Sequence, residues 1–484
     1  RRNGLAKEKE RMSQTAASGR HSILALVAQS IDVIDHRKSV AVIGAGAGGL
    51  VAARHLRDAG FAVRVLESLG QVGGIWVYGD RSVMYDSLST NIPKEIMGFS
   101  DVPFDPSLPS FIKHTDVLSY LQAYADRFAL RDSIAFNTTV HSAEYVAAGR
   151  EGAAVEGGWR INGEERLYDA LVVANGRYNK PRYPRLIKMG FRGPSTHSKY
   201  YREPSAYANQ RVLVVGGSWS GSDLVWELSS VATTVVWSGT QFTDADTAAD
   251  LAAKLPANVR LVGRTEGVEE DGRYISVGSD GRLVTSTDTI DAVIWATGYT
   301  YDFPFFAPGS GLIPSGTADD PQCLFDALHL HVFRKSHPAS LFFVGLTFGT
   351  GGFFFCMEVQ AKAIVAVLKG QVSHAELAAL PRFPHHYTPA CYCALLEMIA
   401  QGRHESFPHT HSHNGSSEII TADPDALQLP PHILLRKHLH MDTTLSRKRL
   451  PGRYRERNYH IVMREGGEGE MMAWQVTEPV DRVV

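Results

Sequence analysis

Three glycines, Gly44, Gly46 and Gly49, stand at the spacing Gly-x-Gly-x-x-Gly, with Ala45, Ala47 and Gly48 between them and an acid, Glu67, about 18 residues on. That set of residue types suits a dinucleotide. Gly44 permits a tight turn, Gly46 leaves no Cβ in the way of a pyrophosphate, Gly49 lets a helix pack closely, and Glu67 can accept ribose hydroxyls. A second set, Gly216, Ser218 and Gly221, repeats the spacing with serine in the middle, and Ser220, Ser222 and Asp223 lie beside it. Serine adds a side chain but also a hydroxyl donor, so a phosphate can still be held.

The elements that must position these residues can be read around them. Val40 to Ile43 is an apolar, β-branched strand running into the first turn, Leu50 to Leu56 has helical periodicity, and Ala62 to Leu66 is the next strand, ending at Glu67. A glycine-rich turn alone is weak. Strand before, helix after and acid at the right distance make it specific. The second unit opens with Arg211 to Val215 and continues into a helix at Ser222 to Trp226. Its next strand, Thr234 to Trp237, ends in Ser238-Gly239-Thr240, with neither the acid that favours a free 2′-hydroxyl nor the Arg that clamps a 2′-phosphate. Arg260, Arg264 and Lys254 are the candidates to bring that charge from a neighbouring loop.

Beyond Glu67 comes Gly73-Gly74-Ile75-Trp76, then Tyr85 to Lys94 with Thr90-Asn91-Ile92-Pro93-Lys94, and a Met97-Gly98-Phe99-Ser100-Asp101 continuation. His114 to Leu121 reads as a helix. Phe191-x-Gly193-x-x-x-His197-x-x-x-Tyr201 lies between the two glycine turns, and Asp291 to Tyr299 carries a buried run ending in Ala296-Thr297-Gly298, expected to return the chain to the first unit. Taken in order, these motifs resemble the flavin-containing monooxygenases, class B flavoprotein monooxygenases.

The resemblance implies an α/β fold of two Rossmann-like dinucleotide-binding domains, the NADP domain inserted in the FAD domain. Residues 38–185 and 290–465 would form the FAD domain with the C-terminal region, 186–289 the NADP domain, 1–37 an N-terminal tail and 466–484 a mobile tail. It implies FAD and NADP as cofactors, with NADPH reducing the flavin and oxygen adding at C4a to give a peroxide that oxygenates a soft nitrogen or sulfur of a small molecule. The cofactor-binding set is Gly44 to Gly49, Glu67, Gly74, Ile75, Trp76, Thr90, Asn91, Val140, Gly216, Ser218, Ser220, Gly221, Ser222, Asp223, Thr297 and Gly298. Asn91 is the expected catalytic residue, because a neutral amide can donate to the peroxide and accept from a neighbour; the other reading is an Asn that stabilises the turn before Pro93. His197 is either an organiser between the domains or a satisfied structural histidine, and Tyr201 packs at the hinge. A helix from Met357 to Leu368, after Gly351-Gly352, reads as amphipathic; in the resembling enzymes it starts beside the flavin.

Two rivals stay open. A Baeyer–Villiger monooxygenase shares the layout but favours Trp-Pro where this chain has Tyr201-Arg202. A flavoprotein that oxidises NADPH or senses redox state without productive oxygenation is motivated by Ser218 and by the missing Arg near Ser238.

The 484 residues suffice for two to four domains, and 44% hydrophobic with 21% charged residues is ordinary for a globular protein. A formal charge of -2 supplies no field for nucleic acid or an anionic membrane, and the uncharged stretch from Ala339 to Met357 is broken by glycines, so a buried strand and turn is expected there. Four cysteines without Cys-x-x-Cys fit a reduced, cytoplasmic setting, and Glu8, Glu10 and Asp32 argue against a transit peptide. No metal is expected: His409, His411 and His413 alternate without an acid or Cys at ligand spacing, and read as an exposed loop. Arg447 to Arg457 reads as a solvated charged run, with phosphate contact or a nuclear signal as the minor alternative. A homo-oligomer is left open, and substrate and O2 are the only partners implied.

Overall fold

Five-residue runs such as Ser39–Ile43 and Arg211–Val215 are apolar at nearly every position, which suits strands covered on both faces rather than on one. A computed structural model shows them in that setting. It describes residues 37–149, 157–346, 354–379, 389–401, 433, 436, 439–444, 446, 454–464 and 471–477. The run His409 to His413, the Gly351-Gly352 pair and all but the end of the 1–37 tail fall outside the described residues. Residues from Ser39 onward form one compact unit.

Two parallel sheets organise it. The first has the order Leu328–His329, Phe333–Arg334, Leu341–Phe343, Ala170–Val173, Ser39–Ile43, Ala62–Leu66, Ile134–Ala135, with the first two strands antiparallel at one edge. The second is wholly parallel, in the order Ser195–His197, Ala292–Trp295, Arg211–Val215, Thr234–Ser238, Val259–Val262. All five strands of the second sheet lie in sequence between Ala170–Val173 and Leu341–Phe343, which are neighbours in the first. One parallel layer is thus inserted in the chain between two neighbouring strands of the other.

Three expectations are corrected here. The stretch after residue 466 is not a loose tail where it is described: Met471–Thr477 is a strand paired antiparallel with Asn458–Arg464. Ala292–Trp295 does not return the chain to the first sheet; it pairs with Ser195–His197 and Arg211–Val215 in the second, and the return comes later. An apolar four-residue run says that a strand is covered on both faces, not which strand lies beside it. The helix read from Met357 is already formed at Phe354, runs to Leu368, and is buried nearly all round instead of amphipathic. It is enclosed by the helices Ala47–Asp58 and Pro389–Ala400, so its polar positions are internal. Glu358, 1% exposed, accepts from Ser100 N at 2.7 Å and pairs with Lys362 at 2.6 Å, and Gln360 Nε2 donates to Tyr392 Oη at 2.8 Å. Among the described residues, no helix is long and apolar enough to cross a membrane.

Candidate functional site

The two glycine turns share one geometry. Gly44 has φ +100° and Gly216 φ +131°, conformations open to glycine, and a Cβ at either would strike the carbonyl oxygen of Ala174 or Ala296, at 2.6 Å and 2.1 Å. Gly44 N donates to Leu66 O at 2.9 Å, as Gly216 N donates to Ser238 O at 2.8 Å. Gly49 and Gly221 sit under these turns, where a Cβ would lie 1.8 Å from Gly44 O or 1.9 Å from Gly216 O. Close packing of helix on strand therefore forbids a side chain at both.

At the middle position Gly46 (φ −75°, ψ −173°) and Ser218 (φ −96°, ψ −164°) are both extended N-cap residues, so serine leaves the turn unaltered. Neither helix that follows, Ala47–Asp58 or Trp219–Leu228, has a side-chain cap or an acid in its first turn. Their first N–H groups are left for an anion. Gly46 faces Gly74, whose Cβ would come within 2.9 Å of Gly46 Cα. Glu67, 5% exposed, accepts from Ala45 N at 2.6 Å and from Leu69 N at 2.8 Å, which fixes the acid against the turn.

Both turns open onto one cavity of about 2060 Å³, roughly twice the upper end for a single drug-sized ligand. From the first sheet it is lined by Gly44, Gly46, Ala47, Gly48, Glu67, Gly74, Ile75, Trp76 and Val140; from the second by Gly216, Ser218, Ser220, Asp223, Thr297 and Gly298; Thr90 and Asn91 line it too. The remaining expected residues stand behind that wall. Ala45, Gly49, Gly221 and Ser222 are buried supports of the turns, and His197 and Tyr201 are buried in the second sheet's surroundings. Thr90 is 4% exposed, and its hydroxyl is buried with no partner among the described residues, as is the side-chain oxygen of Asn175 on the same cavity. A buried polar atom left unsatisfied costs about 1–3 kcal/mol, so both mark where a ligand's hydrogen-bonding groups belong. A cradle closed to Cβ atoms, two uncapped helix starts and these orphaned atoms fit a flavin and a nicotinamide dinucleotide.

His197 is 0% exposed and satisfied on both ring nitrogens: Nε2 meets Gly298 O at 3.0 Å, and Lys199 N donates to Nδ1 at 3.1 Å. Its ring therefore pins the Ala296-Thr297-Gly298 turn to the strand Ser195–His197. Burial pushes its pKa down to about 4, against the opposing pull of the Gly298 carbonyl, with a smaller push from Lys199. Between pH 6.5 and about 4 the unfolded chain binds a proton here that the folded chain does not, so stability falls on acidification through that window, at up to about 1.4 kcal/mol per pH unit. Denaturant unfolding from pH 6.5 to 4.5 should show this slope, and His197→Asn should flatten it by close to one proton; an unchanged slope would place the titration elsewhere. Tyr201, 1% exposed, donates to Glu227 Oε2 at 2.7 Å and packs edge-on against Tyr85.

None of the basic residues proposed for a 2′-phosphate lines the cavity. Arg260 is paired with Asp288, Arg264 with Glu266 and Lys254 with Asp250. The charged run near the C-terminus is also corrected where it is described. Arg455 and Arg457 are not solvated: Arg457 is 8% exposed and meets Asp442 at 2.9 Å, while Arg455 lines the cavity and meets Asp223 at 2.9 Å. Tyr85, Asn175 and Arg177 on the cavity wall carried no functional expectation, and Arg455 only the minor one of a phosphate contact shared with its whole run. Their types fit no spacing rule, since three elements distant in sequence bring them together.

Comparison with known proteins agrees with this architecture. The family described as flavin-binding monooxygenase-like matches residues 37–245 and 275–379. The flavin-containing monooxygenase FMO GS-OX-like 2 of Arabidopsis thaliana is 35% identical over 370 residues, 69% of this chain and 75% of that protein. The structure of S-allyl-L-cysteine S-oxygenase from Allium sativum aligns with a TM-score of 0.66 at 25% identity, covering 87% of this chain and 95% of that one. Tmm from Pelagibacter sp. strain HTCC7211 shares the fold, with a TM-score of 0.62 at 20% identity over 88% of this chain and 94% of its own. With more than half of its length matched and its two glycine turns facing one cavity, the chain belongs to the flavin-binding monooxygenase-like family and is a flavin-containing monooxygenase.

Proposed function

We propose that this chain is an NADPH-dependent FAD monooxygenase that oxygenates soft nitrogen or sulfur centres of small molecules. The observation that carries the reading is the shared cavity, onto which two uncapped helix starts and the Thr90-Asn91 segment all open. Bound FAD, reduced by NADPH, would activate O2, one atom of which would pass to the substrate while the other leaves as water. The chain's residues bind and enclose. The first turn with Glu67 would seat FAD, and the second, with Ser218, Ser220 and Asp223, would seat NADP. Asn91 would give a hydrogen bond at the reacting edge of the ring, and Thr90 its free hydroxyl beside it. Trp76 and Val140 would shield the flavin from water.

Sulfur is supported by a similar solved structure that is an S-oxygenase by name, and nitrogen is retained as the other soft nucleophile such an oxidant would take. Ser218 no longer argues for an unproductive oxidase, since its backbone matches that of Gly46 and its side chain is exposed. The test is direct. Purified protein should carry FAD, oxidise NADPH faster when offered methyl p-tolyl sulfide or a tertiary amine, and yield the sulfoxide or N-oxide. Ester formation from a cyclic ketone without sulfide oxidation would turn the assignment to the Baeyer–Villiger class. Hydrogen peroxide as the only product with every substrate would overturn the oxygenase reading.

A further inference from the structure

We propose that Arg455 is a positioning residue that ties the second nucleotide turn to the Thr90-Asn91 peptide, so that a seated nicotinamide dinucleotide and a correctly held Asn91 depend on each other. The inference rests on the proposed function and adds a residue and a coupling to it. Arg455 spends its guanidinium in two directions. Its Nε donates to Thr90 O at 2.9 Å, while Nη1 and Nη2 fork onto the two oxygens of Asp223 at 3.2 Å and 2.9 Å. Asp223 lies on the helix Trp219–Leu228, which starts at Ser218, and also accepts from Tyr85 Oη at 2.8 Å. Tyr85 and Thr90 belong to the segment that carries Asn91.

The four residues thus form a bridge of charge-assisted hydrogen bonds, and all four line the cavity. The ion pair is shielded, with Arg455 at 26% and Asp223 at 15% side-chain exposure. A planar fork is what the arrangement requires: one edge takes the carboxylate and the remaining N–H reaches a carbonyl more than a hundred residues away in sequence. Lysine, a single compact ammonium, cannot span both partners at these distances.

Displacement of the helix start by a poorly seated ligand would pull on Thr90 O, and release of Thr90 O would free the neighbouring amide of Asn91. The expected phenotype is therefore loss of coupling. In Arg455→Met, NADP⁺ should bind about tenfold more weakly, read by perturbation of the flavin absorbance, and the share of consumed NADPH that appears as hydrogen peroxide should rise several-fold over the parent. In Arg455→Lys, which keeps the charge beside Asp223, NADP⁺ affinity should recover to within about threefold while the peroxide share stays raised. Asp223→Asn combined with Arg455→Met should raise that share no further than the worse single variant.

Parent-like NADP⁺ affinity and peroxide share in Arg455→Met would overturn the inference. So would a lowered melting temperature with both readouts unchanged in the folded fraction, or an Arg455→Lys variant restored in both. If Arg455→Met does not fold, Arg455→Lys decides alone: a raised peroxide share with retained affinity supports the bridge, and parent values overturn it. A parent enzyme that makes no oxygenated product sinks the functional reading instead, and the NADP⁺ titration then decides whether Arg455 serves the second turn.

Discussion

Replacing Asn91 by Ala should lower oxygen transfer by about 10²-fold or more while FAD stays bound and NADPH is still consumed, the electrons leaving as hydrogen peroxide. The magnitude follows from what the substitution removes. Asn91 lines the cavity half-buried, and the peptide before it is held independently of its side chain, by Thr90 N donating to Ile112 O at 2.8 Å and Thr90 O accepting from Arg455. Deleting the amide therefore leaves the backbone in place and takes away the one hydrogen bond that Asn91 would give to the bound flavin. Measured as sulfoxide formed per NADPH consumed, with flavin content and melting temperature as controls, the loss should fall on the product ratio alone. An Asn that only stabilises the turn before Pro93 would give the opposite pattern, with a lowered melting temperature and an unchanged ratio.

The outcome bears on why some of this site was legible in the sequence and some was not. The glycine turns could be read because their geometry is local: the positive φ of Gly44 and Gly216, and the tight packing at Gly49 and Gly221, are set within a strand, a turn and one helical turn. Glu67 could be read because the next strand in a Rossmann layer fixes its distance. The place of Ala292–Trp295 was not legible because its four buried residues are equally at home in either sheet; only in the folded chain does the adjoining Asp291 meet Arg211 N and guanidinium nitrogens at 2.6–3.0 Å in the second. Arg455 was hidden for a different reason. In a run of arginines the ones that fold inward have no periodicity to mark them, and the partners of Arg455, Asp223 and Thr90, lie more than two hundred residues away. The cofactor choice at the second turn also depends on such long-range closure, since Ser238 is buried, donates to Gly263 O at 2.9 Å and so faces away from any ribose.

The sharpest separation of fold from function lies within five residues of the first turn. Gly49→Ala should prevent folding, because its Cβ would sit 1.8 Å from Gly44 O, in a residue whose N–H is tied to Leu66 O, and relief requires the helix to leave the strand at a cost on the order of several kcal/mol. Gly46→Ala should fold normally. Its Cβ would meet nothing nearer than Gly74 Cα at 3.5 Å, an ordinary contact, yet it would stand between the cavity and the uncapped N–H groups of Ala47–Asp58, where a pyrophosphate would have to come close. The expected pair is thus an insoluble Gly49→Ala protein and a soluble, colourless Gly46→Ala protein with the circular dichroism of the parent. Stoichiometric flavin in soluble Gly46→Ala would show that the pigment sits elsewhere and would dismantle the site as built. The second turn supplies the internal comparison. It already carries a Cβ at the equivalent position, and Ser218 is exposed where Gly46 is half-buried against Gly74, so the side chain there can swing toward solvent and leave the N–H groups of Trp219–Leu228 accessible. Ser218→Gly should therefore leave both folding and flavin content unchanged and alter only NADP⁺ affinity, because the same atom that closes one turn merely borders the other.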